Sequence, residues 1–155
     1  TLNGNAVIRQ GLDWLLANAA GDALPLVQFH DGGDAGPGPH VLPAPGASAA
    51  RAALRALLQL RQRGLREPLR FAPYTGWVLF PAPVYKQRSE GRKQWHGSDR
   101  SWGEANSDAW QLLLRGADPF ADDDDYADLL RNSQVVFGAV RDGRGPAGTG
   151  KEADA

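Results

Sequence analysis

Cysteine and methionine are both absent, and lysine nearly so: of 17 basic residues only Lys86, Lys93 and Lys151 are not arginine. The first absence excludes disulfides, thiolate zinc sites and cysteine nucleophiles, and fits a reducing compartment. No apolar run approaches the roughly 18 residues that span a bilayer. The opening residues lack the pattern of a secretory leader, so none is expected. The expectation is a soluble cytoplasmic protein with no membrane partner. An opening of TLNGNAVIRQ, without methionine, reads as a fragment of a longer protein.

What is present suits one globular domain. At 155 residues with 42% hydrophobic content, the chain can bury a single core. Its formal charge of −1 implies no global attraction to nucleic acid or anionic lipid. Residues 6–20 place Val7, Ile8, Leu12, Leu15 and Leu16 at helical spacing, with Gly21 as stop. Residues 24–30 and 40–42 read as a hairpin around the turn cluster DGGDAGPGP, a long, mobile tip. After the linker 43–47, Ser48 would cap a second helix with Leu54, Leu57, Leu58 and Leu65 as its buried stripe. Its arginines Arg51, Arg55, Arg61, Arg63 and Arg66 read first as a solvated face, then as a phosphate or acidic-partner contact.

Prolines in 67–83 forbid a long helix, leaving an aromatic-rich connection in which TGWVLF (75–80) forms a short strand. Its aromatics read as core, with base stacking the alternative. Further helices are expected from Val84 to Trp95, broken at Gly97, and over 107–116 with Ser107 as cap and Gly116 as stop. The acidic run Asp122–Asp125 would start another, opposing the helix dipole. Residues 139–155 carry few large apolar side chains and read as a disordered tail.

The stretch QWHGSDRSWGE (94–104) gathers the residue types of hydrolases and metal sites. One loop rarely supplies nucleophile, oriented base and oxyanion donors together, and no GxSxG occurs. His30, His40 and His96 are too far apart in sequence to share a helix face as a metal pair. Nucleases of the PD-(D/E)xK type place an acid two residues before a lysine; Val84, Gly91 and Thr149 hold those positions here. No residue is assigned as catalytic or metal-binding. The stretch reads instead as a helix end and loop, with Trp95 and Trp102 packing inward. The basic patch 85–102, locally +3, interleaves Lys86, Arg88, Arg92, Lys93 and Arg100 with Tyr85, Trp95 and Trp102. These five cations are the candidate DNA or partner contacts, Arg92 and Lys93 foremost.

In order along the chain, LDWLLANAAG (12–21), RQRGLREPLRFAPYTGW (61–77), RKQWHG (92–97), GEANSDAWQLLLRGADPF (103–120) and NSQVVFG (132–138) resemble the C-terminal region of the exodeoxyribonuclease V gamma chain, the RecC family. The resemblance covers about residues 6–138. It implies an α/β (α+β, helix-rich) fold: part of a PD-(D/E)xK nuclease-like domain, catalytically inactive, over 1–138. The first helix would then pack on a sheet begun upstream. It further implies membership in a RecBCD helicase–nuclease for double-strand-break repair, with the RecD and RecB chains as partners and double-stranded DNA ends reached through the complex. ATP and Mg belong to the parent complex, and this domain would take no cofactor or small-molecule ligand. Alternatives are part of an active RecB/AddB-type nuclease, or a generic interaction domain.

Overall fold

The computed structural model describes residues 2–30 and 36–145. Helix α1 (Gly4–Ala20) leads to strands β1 (Leu26–His30) and β2 (Gly38–Leu42), then α2 (Ala47–Gly64), α3 (Pro73–Leu79) and α4 (Val84–His96). A 3-10 turn at Glu104–Asn106, α5 (Asp108–Leu114) and α6 (Asp123–Asp142) complete the order. The strands form an antiparallel hairpin pairing Leu26 with Leu42 and Gln28 with His40; residues 31–35 of the expected tip lie outside the described residues. The architecture is helix-rich α+β.

Helix α6 is the spine. Asp122 starts it, its carboxylate accepting from the Asp124 and Asp125 amides at 2.8 and 3.2 Å, so the acidic run has the helix-initiating role its composition suggests. One core gathers Val7, Leu15, Ala53, Phe137 and Val140 from α1, α2 and α6. A second gathers Ala72, Leu79, Trp95, Phe120 and Leu129. Phe71, Trp77 and Phe80 surround Phe137 with ring centroids 5.3–6.1 Å away, so the core reading of these aromatics fits. The helix continues past residue 138, burying Ala139 and Val140; residues 146–155 of the expected tail lie outside the described residues.

Four sequence expectations are corrected. The buried face of α1 is Gly4, Val7, Gly11, Trp14, Leu15 and Asn18, whereas Leu12 and Leu16 are 38% and 53% exposed. Glycine lets other elements in: a Cβ on Gly11 would stand 2.0 Å from the Val140 carbonyl oxygen, and one on Gly4 equally close to that of Pro73. Likewise α2 buries Ala50, Ala53 and Ala56 and leaves Leu58 and Leu65 outside, because small residues set its close approach to α1 and α6. It begins after Gly46, with Ser48 already inside the helix. TGWVLF belongs to helix α3, not a strand. Pro73 occupies its first turn, where the missing N–H costs nothing.

The α2 C-terminus is tied to α6 by polar contacts. Arg63 Nη2 donates to both Asp128 carboxylate oxygens at 3.0 Å and to Asn132 Oδ1 at 3.1 Å. Asn132 Nδ2 donates to the Arg70 carbonyl at 2.9 Å, and Arg70 pairs with Asp125. Arg63 is therefore structural.

Candidate nucleic-acid or partner interface

Helix α4 turns Gln87, Gly91 and Trp95 inward. A Cβ on Gly91 would meet Leu79 at 2.5 Å, and Gln87 Nε2 donates to the Leu79 carbonyl at 3.1 Å, so α4 lies close on α3. The opposite face is concave. Tyr85, Arg88, Ser89, Arg92, Lys93 and His96 line a shallow, open depression of about 640 Å³, and Tyr85 is 81% exposed. Three of the five candidate cations meet there. Lys86 lies beside it, its ammonium 5.5 Å from the Tyr85 ring centre, and Arg100 sits in the following turn.

The cations differ in what they are free to do. Arg88 is held by Asp123 at 2.6 Å, the Phe120 carbonyl at 3.2 Å and the Tyr126 ring at 4.9 Å. Lys93 pairs with Glu90 at 2.9 Å, and His96 Nε2 lies 3.2 Å from Asp118. Among the described residues Arg92 donates only to the Phe120 carbonyl, at 3.3 Å. Lys86, Arg92 and Arg100 have no carboxylate partner among the described residues. These three could accept a phosphate without first breaking an ion pair.

Burial raises the Tyr126 phenol pKa above its ordinary 10.0, against the opposing pull of the Arg88 guanidinium. Since the folded pKa is the higher, the associated stability is present below about pH 10 and lost as pH rises through the folded value. Ultraviolet titration of phenolate should show a late-ionising tyrosine, and Tyr126→Phe should remove that late component.

QWHGSDRSWGE contains a chain crossing. Gly97, at φ +71°, ends α4, and Gly103 passes so close that a Cβ on it would stand 2.2 Å from the His96 carbonyl carbon. Between them the Ser98 and Ser101 backbones exchange hydrogen bonds at 2.9 and 3.1 Å, and their hydroxyls pair at 2.8 Å. Neither serine hydroxyl is paired with a histidine. Trp95 is buried as expected, but Trp102 is 54% exposed and meets Tyr74 edge-on at 5.9 Å; the crossing swings it away from the core. Among the described residues no three histidine or acidic side chains cluster as metal ligands, and no helix is long and apolar enough to cross a membrane.

Two features escape sequence reasoning. Glu104, 1% exposed, accepts from the Tyr74 and Thr75 amides at 3.2 and 2.7 Å, capping α3 from about thirty residues downstream. A glutamate in a loop carries no such signal. His30 and His40, remote in sequence, stack across the hairpin with ring centres 4.0 Å apart; strand alternation around the turn is the signal that would have paired them.

The model of the RecC C-terminal domain matches residues 1–82, which carry α1, the hairpin, α2 and α3 and end just before α4. No curated protein matches the chain.

Proposed function

The chain belongs to the RecC C-terminal domain family, a family of RecBCD-type complexes acting in DNA repair and recombination, and from that premise we propose that it is a non-catalytic assembly and DNA-contact module. In this reading it forms part of a nuclease-like domain without nuclease residues. It helps hold RecD and RecB in place, and meets the DNA strands through α4. The observation that carries the DNA part is the concave α4 face, where Arg88, Arg92 and Lys93 converge beside exposed Tyr85. Cations on a groove with an aromatic at its rim suit backbone contact and base stacking. A non-catalytic role is supported by the sequence, which has no acid two residues before any lysine.

The test uses the complete complex, with Arg92→Ala and Lys93→Ala introduced into its RecC-type subunit. Forked-DNA binding is measured across a salt series. Loss of the Arg92 contact, and of Lys93 where phosphate draws it away from Glu90, should flatten the slope of log affinity against log salt by about 1 to 2. An unchanged slope would remove α4 from the DNA path. The assembly part is tested by whether the immobilised chain captures purified RecD or RecB.

A further inference from the structure

Helix α2 carries charge that the described fold answers only in part. From Ala47 to Arg66 there is no acidic residue. Arg51, Arg55, Arg61 and Arg66 are exposed. Arg51 donates from Nε to the Ala19 carbonyl at 2.9 Å; Arg55, Arg61 and Arg66 have no ion pair among the described residues. Only Arg63 turns inward, to Asp128.

The same face is apolar at intervals. Leu58 and Leu65 are 59% and 71% exposed. Reading Ser48, Arg51, Arg55, Leu58, Gln62 and Leu65 along the helix gives steps of alternately three and four residues. That spacing forms one stripe down the helix, about 26 Å long at 1.5 Å per residue. Its C-terminal part, around Leu58 and Leu65, offers the apolar contact a second helix needs, with Arg51 and Arg55 in line beyond it.

From this we infer that the outer face of α2 is a docking surface for an acidic amphipathic helix of a partner protein. Glutamates or aspartates of the partner would meet Arg51 and Arg55 along the stripe and Arg61 and Arg66 beside it, and its apolar residues would cover Leu58 and Leu65. Charge complementarity selects this occupant. A second copy would bring arginine against arginine, and nucleic acid would set phosphate against two leucines and leave them wet. Sequence reading that assigns these leucines to the core hides the surface; the structure exposes them because alanine takes the buried face. The inference uses no residue of the α4 site, so the two readings fail separately.

The test titrates the complete chain with three labelled probes. One is a designed helix with leucines at three-four spacing and flanking glutamates, the second its lysine-flanked twin, and the third a single-stranded oligonucleotide. The glutamate helix should bind and its twin should not. Combining Arg51→Ala, Arg55→Ala and Arg61→Ala should weaken binding by about tenfold, three exposed ion pairs being worth that together. Leu58→Ala with Leu65→Ala should also weaken it. Circular dichroism, expected unchanged, checks that the variants fold. Failure of the glutamate helix to bind, equal binding of its twin, or indifference to the leucine changes would overturn the inference. Tighter binding of the oligonucleotide, lost in the arginine variant, would overturn it in favour of nucleic acid. Self-association abolished by the leucine changes would overturn it in favour of a second copy.

Discussion

A Gly11→Ala chain should unfold at markedly lower denaturant than the parent, by about 2–3 kcal/mol of stability. The added methyl would stand 2.0 Å from the Val140 carbonyl oxygen and 2.6 Å from its Cβ, both on the spine helix. Neither group is the flexible end of a side chain, so α1 and α6 must part, and the cost belongs at the upper end of overpacking. Alanine is the better helix former by about 1 kcal/mol, which offsets only part of that. Gly138→Ala supplies the contrast: it is also inside a helix, but its nearest neighbour would be Phe80 at 4.0 Å. There the propensity gain stands unopposed, and stability should rise by up to about 1 kcal/mol. Denaturant midpoints of the two variants, compared at constant m, should move in opposite directions. Two shifts of the same sign would refute the close crossing of α1 and α6.

Glu104→Ala should be comparably damaging, at about 2–3 kcal/mol. It strips the Tyr74 and Thr75 amides of their acceptor in a site closed to water, and an unsatisfied buried donor costs about 1–3 kcal/mol. Glu104→Gln should fall between parent and alanine, because one acceptor oxygen remains while the new NH₂ group faces an amide donor. Stability alone would not single out the cap, so the decisive reading is hydrogen exchange. The Tyr74 and Thr75 amides should lose protection in Glu104→Ala beyond the global loss. Retained protection at those two amides would mean that α3 holds its own first turn.

These two residues also show where the sequence was readable and where it was not. Boundaries governed by local chemistry came through: Gly21 and Gly97 end α1 and α4, and Asp122 caps α6. The hairpin came through because alternation and a turn cluster are both short-range signals. What failed was decided at a distance. Helix α3 looks like a strand in isolation because the group capping it lies in another loop. Counting large apolar residues misplaces the buried faces of α1 and α2, because it overlooks glycine and alanine, on which close-packed helices touch. The patch 85–102 was legible as charge, but not which cations were occupied. Asp123 and the Phe120 carbonyl, which hold Arg88, come from a different part of the chain.

The junction between α1 and the hairpin has a mechanical consequence. The Leu24 carbonyl accepts from Trp14 Nε1 at 2.8 Å and Asn18 Nδ2 at 3.0 Å, while its amide donates to Asn18 Oδ1 at 3.2 Å. One residue at the foot of the hairpin is thus gripped through both its backbone groups. A pull on the strands bears on Leu24 as on a fulcrum, and is handed to the Trp14 and Asn18 side chains on α1. Seven residues from Asn18 on that rod is Gly11, set hard against Val140 of α6, so force applied to the hairpin is carried along α1 to its close crossing with α6.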